Sequence, residues 1–512
     1  MAGTGKKAVG IDLGTTFSAI AHVDQFGKAE IIANKETERI TPSVILFDSP
    51  ENVIVGSIAK QNAVAEPEKI VEFVKREMGK GEAEYFREFH GKKYTAETLS
   101  ALILKKLKQD AEEALGTPIT DAVVTCPAYF NDAQRSATEN AGKIAGFNVL
   151  QVLNEPTAAA IAFGVDKLGR NQTVFVFDLG GGTFDVTVMK IEGNSIRMVA
   201  TNGDHMLGGK DWDDAILMYV SEQFKQQHGE DPLEDLQTYQ DLQLKAIQAK
   251  HALSRLPKAN IMCSHNGKVL KVELTQEKFA ELSAVLMEKC RTLTKLVLEQ
   301  DAGLTWPKVD TVLLVGGSTR MPMVRKMLAE LSGKTLSEEV NPDEAVAIGA
   351  ALQAGLSTGA EIRDKTGRML PPVKVRNVTS HTIGITAMDQ NRKIKVFPIL
   401  PRFTEVPVSK TDDTFVTMDN NQRSLQTDVL EGESEVPEDC TKLGDILISE
   451  LPPGLPAGTP VSVSFELDGS SILHASVRCS GREGKAEIKV EGGLSADQVK
   501  AETQAMQKVK IE

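Results

Sequence analysis

Two stretches of the chain share one pattern of hydrophobic and polar positions. In the longer stretch, residues 174–188, an apolar run rich in Val and Phe ends at Asp178. Three glycines follow, and then Phe184, Val186 and Val188 alternate with polar residues. This pattern predicts a buried strand, a tight turn and a half-buried return strand.

The second copy lies near the start of the chain. Residues 9–16 have the same apolar entry into Asp12, followed by Leu13 and Gly14. Both copies continue alike, with a turn and a further strand, predicted at 29–32 after the first copy and at 195–200 after the second. Internal duplication indicates two similar lobes, each presenting one hairpin to a shared cleft.

The tips of these hairpins have the chemistry of a nucleotide site. Glycines at a strand tip let the backbone approach a ligand, and their N–H groups can bind phosphate oxygens. Asp12 and Asp178 would repel each other across a cleft, and magnesium bound to a triphosphate would remove that repulsion. Taken singly, each aspartate is an ordinary solvated turn residue. The duplication favours the nucleotide site.

Strands alternate with helices over the first 359 residues, which predicts two α/β lobes. Helical patterns are predicted to begin near Glu66, at Thr95, Asn131, Asn154 and Thr275, and over 211–256, and a closing helix capped by Asp343 runs to Leu356. Further strands are predicted at 122–126, 149–153, 268–274 and 309–315, with a short hairpin within 79–94.

The amino-acid composition and the hydrophobic pattern change after residue 359. Residues 360–377 are polar and contain prolines, which predicts a linker. Residues 378–494 carry short alternating runs between Pro and Gly turns, typical of an all-β sandwich. Residues 495–512 begin with a capping-box pattern at Ser495 and predict one short helix. The predicted domains are therefore 1–359, 360–377, 378–494 and 495–512.

Composition and charge indicate an ordinary globular protein and disfavour several classes of partner. The 512 residues are 41% hydrophobic and 25% charged, and the net charge of -13 disfavours nucleic-acid and anionic-membrane partners. The five cysteines are scattered, as expected for reduced thiols, and the eight histidines show no metal-binding pairs. The sequence shows neither a signal peptide nor a membrane span, so we expect a cytoplasmic protein.

Six segments together resemble the seventy-kilodalton heat-shock (DnaK-type) chaperone family. They are residues 10–16, 127–132, 154–160, 177–185, 315–320 and 341–345. Their order and spacing match the family from Val9 to about Gly359. The resemblance implies an actin-like ATPase domain followed by a peptide-binding β-sandwich, in a short form lacking most of the C-terminal helical lid. The sandwich matches less closely, through Phe415, Asp419, 421–422 and 468–472.

The resemblance also implies roles for particular residues. Asp12 and Asp178 would hold Mg²⁺ through water, Lys75 would neutralise charge on the transferring phosphoryl group, and Glu155 would position the attacking water. The phosphates would be cradled by Gly14, Thr15, Thr16, Gly180, Gly181, Gly182 and Thr183, with Gly208 and Gly209 nearby. The adenosine pocket would be formed by Lys250, Ser254, Gly316, Gly317, Ser318, Arg320 and Asp343. The implied cofactors are ATP or ADP, Mg²⁺ and K⁺.

Some of these residues have simpler interpretations. Glu155 alone could cap a helix, and Lys75 could be a solvated helix charge. Residues 208–210 have the form of a Walker A loop, but Asp211 replaces the required Ser or Thr, which excludes that motif. Ile247 and His251 differ from the family pattern around the ribose and adenine. The segment between Lys75 and Thr95 is shorter than in the family.

The linker and the sandwich leave two functional questions open: coupling between the domains and the location of peptide binding. Residues 370–376 replace the family's leucine-rich linker, which puts coupling between the domains in question. The positions that match the peptide cleft are Ile383, Ile385, Met388, Phe415, Met418 and Leu425. For each of them, ordinary sandwich core is the stronger interpretation. Methionines suit a promiscuous apolar site because they repack easily.

The sequence thus favours an ATP-hydrolysing chaperone that binds extended apolar segments of unfolded polypeptides. The alternative is an ATP-binding co-chaperone or scaffold with weak hydrolysis and weak interdomain coupling. A small-molecule kinase on the same fold is disfavoured, because it would have no use for the β-module. J-domain co-chaperones and nucleotide-exchange factors are the further partners that the resemblance implies.

Overall fold

The computed structural model describes residues 7–164, 170–337, 339–363, 367–369, 373–467, 473–485 and 493–512. The strands are β1 Lys7–Asp12, β2 Phe17–Val23, β3 Ala29–Ile31, β4 Thr41–Pro42, β5 Ile45–Phe47, β6 Asn52–Val55, β7 Ile70–Val71, β8 Arg87–Phe89, β9 Lys92–Tyr94, β10 Ile119–Cys126, β11 Asn148–Asn154, β12 Gln172–Leu179, β13 Phe184–Glu192, β14 Ser195–Asp204, β15 Lys258–His265, β16 Lys268–Thr275, β17 Thr311–Val315, β18 Lys374–Val378, β19 Ile383–Met388, β20 Ile394–Leu400, β21 Glu405–Val406, β22 Val408–Val416, β23 Leu425–Glu431, β24 Thr441–Ile448, β25 Pro460–Leu467, β26 Leu473–Cys479, β27 Arg482–Lys485 and β28 Lys510–Ile511.

The α-helices are α1 Ser57–Asn62, α2 Ala96–Leu115, α3 Asp132–Ile144, α4 Glu155–Gly164, α5 Gly209–His228, α6 Leu236–Leu253, α7 Gln276–Leu282, α8 Ala284–Lys295, α9 Pro322–Ser332, α10 Ala345–Ser357 and α11 Ala496–Gln507. None of the helices in the described part of the chain is both long and apolar enough to cross a bilayer.

Two sheets with the same plan form the centre of the two lobes. In the first, the order is β11, β10, β1, β2, β3, with β11, β10 and β1 parallel and β2 and β3 antiparallel. In the second, β17 and β12 are parallel, and β13 and β14 follow antiparallel. The repeated topology confirms the duplication that the hydrophobic pattern predicted. We call the parts around these sheets lobe I and lobe II.

Helices α4 and α10 fill the space between the two sheets. A Cβ on Gly349 of α10 would lie 1.7 Å from the carbonyl oxygen of Ala158 in α4. A Cβ on Gly10 of β1 would lie 1.9 Å from the backbone nitrogen of Ala351. Only glycine permits such close backbone approach. The shared core therefore holds the ends of β1 and β12 side by side, where Asp12 and Asp178 lie.

Over its described residues the sandwich has two four-stranded sheets, as the short alternating runs predicted. One has the order β20, β19, β23, β24 and the other β22, β25, β26, β27. Alternate residues of β25 point inward, so Val461, Val463, Phe465 and Leu467 are all buried. The predicted fold class, a two-lobed α/β domain with a β-sandwich and one short helix, is confirmed.

The segments on either side of the sandwich join different lobes. Before it, β18 adds to the edge of the lobe II sheet, parallel to β14. After it, α11 begins at a capping box on Ser495 and packs on α3. Strand β28 then pairs with β6 of lobe I. Val499, Met506 and Ile511 from this last segment belong to the lobe I core.

Several local predictions were wrong. The apolar residues after Glu66 do not form a helix, because Phe73 adopts a left-handed backbone (φ 60°) between short 3-10 turns. The helix capped by Thr275 is interrupted at Ser283, whose hydroxyl donates to the Phe279 carbonyl. The final helix of lobe II begins after Glu344, so Asp343 is not its cap.

Two further predictions concern the linker and the sandwich match. The end of the predicted linker, residues 374–377, is strand rather than loop. Residues 370–372 of the unusual linker sequence and the sandwich match at 468–472 lie outside the described residues.

Candidate functional site

The tips of the two duplicated hairpins meet in the cleft. A Cβ on Gly181 would lie 2.1 Å from Thr16 Oγ1, and one on Gly182 would lie 2.3 Å from Thr15 Oγ1. Any side chain at these glycines would force the tips apart. The turn itself is closed by a hydrogen bond from the Gly180 amide to the Thr183 carbonyl, 3.1 Å long. The glycines thus permit two threonine side chains and two backbones to share one small space.

The start of α5 supports the glycine turn from behind. A Cβ on Gly208 would lie 2.5 Å from the backbone of Gly182, and the Gly209 amide donates to the Gly180 carbonyl at 2.9 Å. Ser318 Oγ donates to the same carbonyl, also at 2.9 Å. These contacts fix the turn in a conformation that leaves Gly180 and Gly181 facing the cavity.

Three aspartates lie together below the tips. Burial, followed by the charge of Glu155, raises the pKa of Asp12 to about 7 and that of Asp178 well above its usual range. Asp185 faces Asp178 directly in the β12–β13 register, and the same two causes raise its pKa to about 7. One oxygen of Asp185 is buried without a hydrogen-bond partner. The cluster therefore has more negative charge than its protein surroundings stabilise.

Lys75 and Glu155 form a buried ion pair beside this cluster. The left-handed residue Phe73 turns the chain into the 3-10 segment Val74–Glu77, which aims Lys75 into the cleft. Burial disfavours the charged form of Lys75, but Glu155 and Asp12 outweigh it and keep the pKa of Lys75 above its usual value. The ammonium group is therefore charged within the site.

Arg76 links the two lobes across the cleft. Its Nε donates to the Gly182 carbonyl at 2.9 Å, and its terminal nitrogens bind both oxygens of Asp211 at 3.2 and 2.5 Å. A bidentate guanidinium–carboxylate pair is directional and strong. Of these two neighbouring residues, Lys75 therefore lies within the cleft, and Arg76 connects lobe I to lobe II.

A cavity of about 1070 Å³ extends from the aspartates to the far wall of the cleft. One face of α6 lines that wall with Ile247, Lys250 and His251, and Ser254, the C-cap of this helix, lies next to them. Lys250 donates to the Gly209 carbonyl at 2.8 Å and to Asp213 at 2.7 Å. Burial and the charges of Lys250 and Lys60 lower the pKa of His251, so its imidazole is neutral at pH 7.

The opposite wall is formed by the loop after β17. Gly316 has φ 80°, and a Cβ there would lie 2.4 Å from the Leu179 carbonyl oxygen. Arg320 pairs with Asp343 at 2.5 Å, and Asp343 Oδ1 would lie 2.9 Å from a Cβ on Gly317. The glycines bring this backbone close to the cavity, and the partly exposed ion pair lies at the cavity wall.

The residues present fit a magnesium–nucleotide complex. The clustered carboxylates lack sufficient countercharge, and hard oxygen ligands are what Mg²⁺ prefers. In the described ranges, no group of three or more His, Cys, Asp or Glu side chains is placed to hold a metal directly. A cation bound through water and phosphate oxygens fits both observations.

Comparison with known proteins identifies the family of the chain. The Hsp70 protein family matches residues 8–512. The chain belongs to the Hsp70 family. It is 41% identical to the chaperone protein DnaK of Thermotoga maritima over 503 residues, which cover 96% of this chain and 82% of that protein. It is 42% identical to the DnaK of Thermus thermophilus over 523 aligned residues, with the same coverages. The Hsp70 family is a family of ATPase chaperones.

The structure brings most of the predicted Hsp70 site residues to the cavity wall. Those lining it are Asp12, Gly14, Thr15, Thr16, Lys75, Glu155, Asp178, Gly180, Gly181, Thr183, Lys250, Ser254, Gly316, Gly317, Ser318, Arg320 and Asp343. Gly182, Gly208 and Gly209 lie behind this wall, where they pack backbone against backbone or against a side chain. These three shape the turn from the protein side.

Sequence reasoning missed several residues of the site. Asp185 could have been found, because a hairpin through three glycines sets it opposite Asp178. Arg76 and Asp213 gave no local signal, since their side-chain partners lie at least 37 residues away. Asp211 accepts locally from the Gly208 amide, but that contact does not indicate Arg76 as its partner.

The predicted peptide-cleft residues of the sandwich are divided between core and surface. Ile383 and Ile385 are 6% and 3% exposed and belong to the sandwich core. In this conformation they are not open to a ligand. Met388 is 49% exposed, and Phe415, Met418 and Leu425 are half-buried. The Phe415 ring meets Phe397 edge-on, with centroids 5.9 Å apart. The accessible apolar surface therefore lies near the ends of β19 and β22.

Proposed function

We propose that this Hsp70-family chain hydrolyses ATP in the cleft between its lobes and holds extended apolar polypeptide segments on its sandwich. The observation that carries the proposal is the meeting of Thr15 and Thr16 with the Gly181–Gly182 turn, directly beside the buried Lys75–Glu155 pair. Two glycine- and threonine-containing backbone turns that meet beside one buried cation suit a triphosphate.

Each residue has a defined task in the proposed reaction. Asp12 and Asp178 would hold Mg²⁺ through water, and the metal would supply positive charge to the phosphate oxygens. Lys75 would stabilise the negative charge that builds on the transferring phosphoryl group. Glu155 binds Lys75 through Oε1 and would orient the attacking water with the rest of its carboxylate. The Thr183 hydroxyl, at the cavity wall, would donate to the same phosphoryl group.

The far end of the cavity would hold the nucleoside. Lys250 and Ser254 on α6 would face Gly316, Gly317 and Arg320 across it. Neutral His251 would present a flat ring to the base, and Ile247 would offer only apolar contact. K⁺ belongs to the proposed cofactors as a companion of Mg²⁺.

The sandwich would bind peptide near Met388, Phe415, Met418 and Leu425. The proposed partners are unfolded polypeptides, together with J-domain co-chaperones and exchange factors. The expected compartment is the cytoplasm. The five cysteines are free thiols, four of them buried, as suits a reducing environment. The domain boundaries at 359, 377 and 494 remain part of this proposal.

Single-turnover hydrolysis of ATP, measured with and without an extended apolar peptide, tests the proposal. Hydrolysis that peptide accelerates supports the coupled chaperone. Tight ATP binding with no turnover would support the scaffold alternative, and absence of both would exclude a nucleotide function for this cleft. Displacement of a fluorescent ATP analogue measures binding separately from turnover.

A further inference from the structure

A row of positively charged residues crosses three neighbouring strands of the lobe II sheet. Lys190 of β13 lies directly opposite Arg197 of β14, and Arg197 lies directly opposite Arg376 of β18. Residues directly opposite each other share one face of a sheet, with their Cβ atoms about 5 Å apart. The three side chains therefore project from the same face as neighbours. We call these three residues the cationic row.

The cationic row lies on the face away from the core that the same strand segments help to form. The residues on either side of Lys190 and of Arg197 are all fully buried in the core around α4: Met189, Ile191, Ile196 and Met198. Because side chains alternate along a strand, Lys190 and Arg197 point to the opposite face. Both are half-buried, and Arg376 is exposed. None of the three lines the cavity of the cleft, so the row is separate from the proposed nucleotide site.

The protein itself neutralises little of the charge of the row. Arg376 pairs with Glu405 at 2.8 Å, and both of these side chains are about half exposed. Across the described ranges, neither Lys190 nor Arg197 has a side-chain hydrogen bond or an ion pair. Like charges directly opposite each other destabilise a sheet. The fold therefore gains no stability from this arrangement.

The next row of the same three strands has no such excess of charge. Glu192, Ser195 and Lys374 lie in register there, so an acid, a hydroxyl and a base follow one another. The excess positive charge on this part of the face is thus confined to the cationic row, which is about 10 Å long because it spans three strands.

The charge and the spacing of the row fit an acidic helix. Acidic side chains one turn apart on a helix lie about 5–6 Å from each other, which is close to the spacing between strands. A helix laid across the strands would therefore place one carboxylate beside each cation. The chain as a whole has a net charge of -13, which repels long polyanions such as nucleic acids and favours a short acidic segment.

We propose that the cationic row is a docking site for an acidic α-helical segment of a partner polypeptide, bound through ion pairs to Lys190, Arg197 and Arg376. Docking would relieve the repulsion within the row. Arg376 can keep Glu405 as a ligand, because a guanidinium group has five N–H donors and can bind a second carboxylate. The site is independent of ATP and of the proposed peptide surface on the sandwich.

Binding of a labelled helical peptide to the full, nucleotide-free chain tests the site. The probe is an alanine-rich peptide of about 20 residues, long enough to form a helix, with Glu at three positions that are four residues apart. The matched peptide has Gln at those positions. Fluorescence anisotropy should show that the Glu peptide binds at least about tenfold more tightly at low salt, and that added salt reduces the difference.

The decisive comparison reverses two charges of the row. Lys190→Glu with Arg197→Glu should weaken binding of the Glu peptide at least about tenfold, because two attractive pairs become repulsive. A third peptide with Lys at the same positions should bind this double variant more tightly than it binds the unmodified chain. The control, Lys258→Glu with Lys271→Glu, reverses two exposed lysines of the β15–β16 hairpin in the same lobe and changes the net charge equally. It should leave the affinity for the Glu peptide unchanged.

Lys190→Glu alone provides a second test that needs no partner. The new carboxylate would lie opposite Arg197 and replace repulsion with attraction, so the melting temperature should rise by about 1–2 °C. If the double variant does not fold, this single variant also serves in the peptide assay, with an expected loss of affinity of about threefold.

Four outcomes would overturn the proposal. The first is equal binding of the Glu and Gln peptides, and the second is a loss of affinity in the control as large as that in the double variant. The third is a lower melting temperature for Lys190→Glu, which would show that the cations do not repel each other. The fourth is a single-stranded oligonucleotide that binds more tightly than the Glu peptide and is lost in the double variant, which would assign the row to nucleic acid.

Discussion

Lys75 and Glu155, 80 residues apart in sequence, form an ion pair in which both side chains are less than a tenth exposed. Each partner alone would be a costly buried charge, and the pair lies beside three further carboxylates. Its position on the wall of the cleft makes it the most sensitive point for testing the proposed reaction.

Replacing Lys75 with Ala should slow single-turnover ATP hydrolysis by on the order of a hundredfold or more, because a cation at the phosphoryl group is lost. It should also destabilise the fold by about 3–5 kcal/mol, since Glu155 is left buried and unpaired. The pair of changes Lys75→Met and Glu155→Gln removes both charges and should recover stability but not hydrolysis. Recovery of both would show that the pair is structural only. Thermal unfolding and single-turnover kinetics measure the two effects.

Thr183→Ala should slow hydrolysis by on the order of a hundredfold, because the hydroxyl facing the cavity would donate to the phosphoryl group in the transition state. Thr183→Ser keeps the hydroxyl and is the matched control, expected to retain most activity. ATP affinity, measured separately, should change much less than the rate. Equal rates for the Ala and Ser variants would remove Thr183 from the reaction.

The pH dependence of stability should report the aspartate cluster. The pKa values of Asp12 and Asp185 are raised to about 7, so the stability they contribute when protonated is lost as the pH rises from about 4 to about 7. The melting temperature of the nucleotide-free chain should therefore fall over that range. Saturating Mg²⁺ and ATP should reduce this fall, and chelation of the metal with EDTA should restore it. A nucleotide-induced gain that is equal at pH 5.5 and pH 8 would contradict the assignment.

The two neighbouring glycines of the turn should respond differently to the same substitution. Gly181→Ala places a Cβ 2.1 Å from Thr16 Oγ1, whereas Gly180→Ala meets its first neighbour at 3.6 Å, an ordinary contact. Calorimetry of the nucleotide-free chain should show a marked loss of stability for the first variant and little change for the second. Equal losses would mean that the hairpin tips are not in contact.

Met388→Asp should weaken binding of an extended apolar peptide at least tenfold, because an exposed apolar contact becomes a charge that must be desolvated on binding. Val285→Asp in lobe II, which is 82% exposed, is the matched control and should leave binding unchanged. Fluorescence anisotropy of a labelled peptide provides the measurement. An unaffected Met388 variant would place peptide binding elsewhere.

Features set by local chemistry were predictable from sequence. The two aspartate hairpins, the caps at Thr95 and Asn131 and the capping box at Ser495 all depend on residues within a few positions of one another. The cleft itself followed from duplication. The helix predicted after Glu66 was wrong. The apolar spacing there is typical of a helix, but it belongs to 3-10 turns in which Lys75 and Arg76 are buried.

Pairings over long distances were not predictable. Arg76 meets Asp211 only because two lobes close on each other, and nothing near either residue in sequence indicates its partner. The same holds for β18 beside β14 and for β28 beside β6, since strand addition at a sheet edge requires knowledge of which edges remain open. Ile383 and Ile385 matched a binding surface by position, but packing between the sheets covers them.

The placement of β18 and of the segment 493–512 has a practical consequence for anyone dissecting this protein. A fragment cut after residue 359 would lose the neighbour of β14 and would uncover the apolar surface of lobe I beneath Val499, Met506 and Ile511. Such a fragment would carry an unpaired sheet edge and an exposed hydrophobic patch, and both features promote aggregation. Work on the cleft between the lobes in isolation therefore calls for a redesigned surface or for a chain that keeps β18 and residues 493–512.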